Sequence, residues 1–154
     1  NSNFFFFFFD RCKVRAFNLL CFILNYLLRL KLVFISNKAW KMEGSRMFIE
    51  AGKRVSVSDL LKGIIIQSGN DASVALAEYA GGTEDGFVDL MNAYAGSLGL
   101  RNTLFQNSTG LPNSNHFTST ADLAKLTASF IERFPDHYAV YKEKQYTYKD
   151  FQIG

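Results

Sequence analysis

The stretch from Ser56 to Gly82 constrains this fold most, because two helical stripes are separated there by three residues that no helix carries through. Leu60, Leu61, Ile64 and Ile65 recur at helical spacing and define a helix ending near Gln67. Ser56 or Ser58 can cap its start, since a side-chain oxygen there accepts from the unpaired amides of the first turn. Asn70 and Asp71 are both good N-cap types for a second helix, which sets Ala72, Ala75, Leu76 and Tyr79 on one stripe before Gly81-Gly82 stops it. Ser68-Gly69-Asn70 therefore lies in a tight junction between two helices.

The surrounding elements follow from the same patterns. Met47 and Ile49 share one face of an expected strand, Gly52-Lys53 makes a turn, and Val55 and Val57 alternate beyond it, which reads as a short hairpin. A third helix is expected after Thr83, with Phe87, Leu90, Met91, Tyr94 and Leu98 facing inward until Gly99. Glu84 and Asp85 in its first turn, with Asp89, read as solvated groups that complement the helix dipole. The stretch from Arg101 to Phe117, rich in Asn, Ser, Thr and Gly, reads as an ordered loop. Ser119 caps a fourth helix with Leu123, Leu126, Thr127, Phe130 and Ile131 inside and Pro135 beyond its end. Tyr146 and Tyr148 alternate in a closing strand. No internal repeat is visible, and the expected class is α+β, mostly helical with short strands.

Residues 1–32 read differently and are assigned to a low-complexity, apolar leader, leaving 33–154 as one domain. Phe4 to Phe9 are six identical aromatic residues, which no buried element can pack selectively. Ala16 to Leu28 is uncharged, but Arg29 and Lys31 interrupt it before the roughly 18 apolar residues of a membrane span. Arg11, Lys13 and Arg15 resemble the positive start of a signal peptide, without a small-residue cleavage site after them. A degenerate leader, a buried helix and an anchor all remain open for this segment. Cys12 and Cys21 lack the neighbours that a zinc site requires.

The 154 residues are 48% hydrophobic and 20% charged, which fits one soluble globular domain. A net charge of +3 is too small and too scattered to call for a nucleic-acid partner. His116 and His137 stand apart from any carboxylate or cysteine cluster, so they read as surface side chains, and no metal or cofactor is expected. Trp40 and the tyrosines read as core and rim packing.

Taken alone, Ser68-Gly69-Asn70 is a helix junction. Its setting is more specific: the run Gly63-Ile-Ile-Ile-Gln-Ser-Gly-Asn-Asp-Ala72 occurs with Gly44-Ser-Arg-Met-Phe-Ile49, Met91-Asn92, Leu98-Gly-Leu-Arg-Asn-Thr103, Thr109-Gly-Leu111 and Tyr141-Lys-Glu-Lys144. In this order these words resemble the low-molecular-weight penicillin-binding proteins, the D-alanyl-D-alanine carboxypeptidases of the serine peptidase group with a β-lactamase-like fold. Ile35-Ser36 and Ala39-Trp40 mark the upstream edge of the resemblance. It implies a part, mostly the helical part, of the DD-peptidase fold, acting on peptidoglycan stem peptides that end in D-Ala-D-Ala. It further implies acylation by β-lactams, no cofactor, and a place on the extracytoplasmic side of the cell envelope.

Such enzymes use three motifs, Ser-x-x-Lys, Ser-x-Asn and Lys-Thr-Gly. A serine hydroxyl is a weak nucleophile at neutral pH, and a lysine kept neutral by its surroundings serves as its base. The resemblance implies that Ser68 relays a proton to the departing D-alanine amine and that Asn70 holds the substrate backbone. The residues three before each lysine are Asp10, Leu28, Ile35, Lys38, Glu50, Asp59, Asp122, Ala139, Tyr141 and Tyr146, so the sequence contains no Ser-x-x-Lys. Neither Lys-Thr-Gly nor Lys-Ser-Gly occurs. The expectation is a carboxypeptidase fragment that is inactive as it stands, its nucleophile motif replaced upstream. The alternative is a non-catalytic helical interaction protein, or one associated with membranes through the apolar segment from Ala16 to Phe34.

Overall fold

The computed structural model describes residues 31–149 and the strand Phe151–Ile153; the phenylalanine run, both cysteines and nearly all of the apolar segment lie outside the described residues. The described chain runs β1 (Leu32–Phe34), α1 (Asn37–Trp40), β2 (Arg54–Ser56), α2 (Val57–Gln67), α3 (Asn70–Gly81) and α4 (Glu84–Ser97). It continues with β3 (Thr103–Leu104), β4 (Phe117–Thr118), α5 (Thr120–Arg133), α6 (Pro135–Tyr138), a 3-10 turn at Ala139–Lys142, β5 (Tyr146–Tyr148) and β6 (Phe151–Ile153). Helices dominate and the strands form three two-stranded antiparallel sheets, so the α+β reading holds.

Helix α3 is the centre of the core. Every residue from Asn70 to Ala77 is buried, where a single inward stripe was expected. Ala72, Ala75 and Ala77 are small enough to let α2, α4, α1 and β1 all close on it. A helix covered on all sides has no amphipathic stripe to read, and Tyr79, expected inside, is 38% exposed near its end.

The flanking helices obey their caps more closely than their stripes. Ser56, Thr83 and Ser119 cap α2, α4 and α5, each accepting from the amide three residues on at 3.0–3.1 Å. Phe87, Met91 and Ala95 make the inward face of α4, whereas Leu90 is 45% exposed. In α5 only Leu126 and Phe130 of the expected apolar face are buried; Leu123 and Ile131 face outward. Phe130 instead gathers Phe134, Tyr138 and Tyr141 at ring distances of 5.9–6.2 Å.

The expected hairpin does not form. The partner of β2 is β1, with Val33 opposite Val55 in the core, and Val57 already starts α2. Met47 and Ile49 are buried in an irregular segment that joins no sheet, because the Asp71 carboxylate takes up their amides. The loop from Arg101 to Phe117 is ordered, as expected. Its ends pair as β3 and β4, and Asn92 holds Phe105 from both sides, donating to its carbonyl at 2.9 Å and accepting from its amide at 2.8 Å. Near the chain's end, β5 lies against α2, where the Tyr146 hydroxyl donates to the Asp59 carboxylate.

Candidate active site

Two helices meet at Ser68-Gly69-Asn70 without sharing a turn. Ser68 is the C-cap of α2 in the left-handed region (φ 57°, ψ 37°), and the amides of Ser68 and Gly69 donate back to Ile64 and Gly63 at 3.0 and 3.1 Å. Gly69 is the N-cap of α3 and offers no side chain, so Asn70 and Asp71 stand in the first turn and do not cap it as expected. That frees both polar side chains for other partners.

Those partners lie on the segment from Glu43 to Ile49. The Asn70 backbone amide donates to the Ser45 carbonyl at 2.8 Å, and its side-chain amide donates to the Glu43 carbonyl at 2.7 Å. The Ser45 hydroxyl donates to the carbonyl of Gln67, one residue before the motif. Gly44, at φ 82°, lies so close that an added Cβ would sit 2.8 Å from the Asn70 amide nitrogen. Asn70 is 6% exposed, while Ser68 beside it keeps partial contact with solvent.

Asp71 secures the same segment from beneath. Its carboxylate, 1% exposed, accepts from the amides of Met47 at 3.0 Å, Ala72 at 2.9 Å and Ile49 at 3.2 Å. Charge-assisted bonds of this kind are about twice as strong as neutral ones and satisfy amides that would otherwise be buried without partners. Gly63 leaves room for the segment, since a Cβ there would meet the Met47 sulfur at 2.3 Å.

Sequence reasoning singled out Ser68 and Asn70, and the structure sets both at one junction. It missed Asp71, Ser45 and Glu43 as the groups that hold Asn70 in place. The alternation of Met47 and Ile49 carried a signal, but a strand and an irregular segment clamped by a carboxylate can both turn every second residue inward.

Behind the junction, Glu84 departs from its expected solvated role. It is 9% exposed, pairs with Lys38 at 2.8 Å, and accepts from the Ser108 hydroxyl at 2.8 Å and the Ser108 amide at 3.2 Å. Burial disfavours its charge, yet the Lys38 ammonium and the Ser108 donors outweigh burial and hold its carboxyl below the usual range. Lys38 is raised in turn, chiefly by its hydrogen bond to Glu84. This ion pair ties α1, α4 and the loop carrying Thr109-Gly110-Leu111 into one unit.

His116, expected on the surface, is partly buried with its ring edge-on to Phe105 at 5.7 Å, and burial pushes its pKa down. His137 is also partly covered, with its ring 6.1 Å from that of Phe134. Among the described residues, no group of His, Cys, Asp or Glu is placed to hold a metal ion. No described helix is long and apolar enough to cross a membrane.

Comparison with known proteins gives one consistent family. The family model described as D-alanyl-D-alanine carboxypeptidase matches residues 26–154. D-alanyl-D-alanine carboxypeptidase DacC of Escherichia coli is 45% identical over 123 residues, 76% of this chain and 31% of that protein. DacF of Bacillus subtilis is 46% identical over 97 residues, 63% of this chain and 25% of that protein. Among solved structures, DacD from Francisella tularensis superposes with a TM-score of 0.81 at 35% identity, covering 99% of this chain and 36% of that one. Penicillin binding protein 6B from Escherichia coli gives a TM-score of 0.81 at 33% identity, with 98% and 48% covered. The chain spans about a third or less of the length of these curated relatives.

Proposed function

Because the chain belongs to the D-alanyl-D-alanine carboxypeptidase family of serine peptidases, we propose that its helix junction is the proton-relay and substrate-holding part of a carboxypeptidase site for peptidoglycan stem peptides ending in D-Ala-D-Ala. The site works in the cell envelope, on the extracytoplasmic side, where that substrate lies. One observation carries the reading: Asn70 is buried and held through both its backbone and side-chain amides, with Ser68 partly open beside it. A side-chain amide held this firmly orients a peptide without reorganising when the substrate arrives.

Ser68 passes a proton toward the departing D-alanine amine, and Asn70 aligns the peptide ahead of the broken bond. Neither group attacks the carbonyl. These 154 residues contain no Ser-x-x-Lys to supply a nucleophile with its base, and no Lys-Thr-Gly to bind the terminal carboxylate. Loss of the nucleophile alone costs a serine hydrolase on the order of a millionfold in turnover. This polypeptide by itself binds substrate weakly and does not turn it over.

Two measurements test the reading. Incubation with a labelled penicillin is expected to leave no covalent adduct, and a stable stoichiometric adduct would show that a nucleophile is present after all. Titration with diacetyl-L-Lys-D-Ala-D-Ala, followed through the NMR signals of the Asn70 carboxamide and the Ser68 backbone amide, is expected to give a saturable shift of both, and Asn70→Ala is expected to abolish the shift of the Ser68 amide. A silent Asn70 signal at millimolar peptide would end the proposal.

A further inference from the structure

On the outer side of the segment that clamps Asn70, the chain alternates, turning Met47 and Ile49 inward and leaving Arg46 and Phe48 outside. Phe48 is 64% exposed and sits at φ 61°, a region that bulky side chains rarely occupy. Strained, exposed aromatic residues concentrate at binding sites, because neither burial nor local geometry favours them otherwise. Arg46 lies over the Phe48 ring with its guanidinium carbon 5.1 Å from the centroid. Trp40 and Lys41, at the end of α1, close the opposite side of a cavity of about 400 Å³. That volume is within the usual range of small-ligand sites.

The charge of this cavity is uncompensated. The Arg46 guanidinium and the Lys41 ammonium form no ion pair or hydrogen bond among the described residues. Of the acids on its border, Glu50 is turned to Lys149, and the Asp71 oxygens are taken by three amides. What is left is a guanidinium fork stacked on one face of Phe48 and an ammonium, both suited to carboxylates, beside the exposed Trp40 ring and the remaining exposed surface of Phe48, which can cover the C–H face of a sugar ring. A membrane surface would be met by a convex apolar patch, whereas these groups line a concavity.

We propose that this cavity is a subsite for an acidic glycopeptide, the sugar-bearing and glutamate-bearing part of a peptidoglycan strand, which holds the strand while its stem peptide reaches Asn70. The assignment rests on the proposed function, since that reading supplies the substrate. Arg46 and Lys41 both face the one carboxylate that glutamate keeps free within the strand, and Trp40 and Phe48 flank the ring. Binding there acts through the same segment that positions Asn70, because Arg46 and Phe48 alternate along it with the residues Asp71 holds.

Trp40 is the only tryptophan in the chain, so its fluorescence reports on the cavity directly. The probe is N-acetylmuramyl-L-alanyl-D-glutamate, which carries the sugar and two carboxylates but no D-alanyl-D-alanine. A saturable change in Trp40 emission is expected, weakened roughly tenfold by Arg46→Gln and by Lys41→Gln, as for loss of one charge-assisted hydrogen bond. The same glycopeptide with both carboxylates amidated is expected to give no response. No saturable change, or equal binding by both variants with native near-ultraviolet circular dichroism, overturns the proposal. A response to anionic phospholipid vesicles alone also overturns it, in favour of a lipid surface. The Asn70 carboxamide signal under diacetyl-L-Lys-D-Ala-D-Ala separates the two readings: a shift there with a silent Trp40 defeats only the subsite, and the converse defeats only the D-Ala-D-Ala site.

Discussion

Asp71 holds more of this site's geometry than either residue of the motif beside it, since one carboxylate serves three amides from two separate parts of the chain. Asp71→Ala leaves those amides buried without acceptors, and each such orphan costs about 1–3 kcal/mol. The expected loss is about 3–5 kcal/mol by urea denaturation, and a loss below about 1 kcal/mol would mean that water or a shifted chain replaces the carboxylate. Asp71→Asn is expected to lose less, because its oxygen can keep two acceptor roles while its NH2 group faces the remaining amide. Gly63 makes the opposite kind of point. In an open helix Gly→Ala stabilises by about 1 kcal/mol, but here the new methyl meets Met47 at 2.3 Å. Gly63→Ala is therefore expected to lower stability by roughly 1–3 kcal/mol, the range for overpacking, and to perturb the Asn70 carboxamide signal. A stabilised variant would show that Met47 swings clear at no cost.

The elements around the site are joined by the Lys38–Glu84 pair, and pH should reveal it. The folded-state pKa of Glu84 lies below the ordinary glutamate value of 4.5, so its stabilisation is present above that value and is lost as pH falls through the depressed folded value. Lys38 is raised above 10.5, so its share is present below that pH and is lost as pH rises through the raised folded value. Thermal unfolding across pH is expected to show a plateau between these limits, with an acid limb that Glu84→Gln flattens. An unchanged acid limb in that variant would assign the loss to other carboxylates. The caps were readable beforehand because they are local: Ser56, Thr83 and Ser119 each need only the amide three residues ahead. The inner faces of α4 and α5 were less readable. Leu90, Leu123 and Ile131 have the right spacing but no neighbour to cover them among the described elements.

Over the whole molecule, the described chain forms one core around α3 with three two-stranded sheets at its margins. Isolated two-stranded ladders are marginal in water, and only packing on helices sustains them. Hydrogen exchange is expected to be slowest for the amides of α3 and fastest among the strands for β5 and β6, whose main support is α2. Protection of β5 equal to that of α3 would show that the core extends further than Tyr146. Among the described residues the apolar side chains of Leu32, Phe34 and Phe117 face outward.

The sequence alone determined the α+β class, the capped helices, the ordered loop and the junction at Ser68-Gly69-Asn70, because each depends on residues within a few positions of one another. It also carried the family, through words kept in order along the chain. The tertiary structure decided the rest: that β2 pairs with β1, that α3 is buried on every side, that Glu84 is an interior ion-pair partner, and that Asp71 clamps the segment orienting Asn70. These are contacts across twenty residues or more, and the same alternation or acidic residue suits several partners until the fold selects one. The motif at the junction could be read from the chain, but the groups that hold it could be found only by closing the core around it.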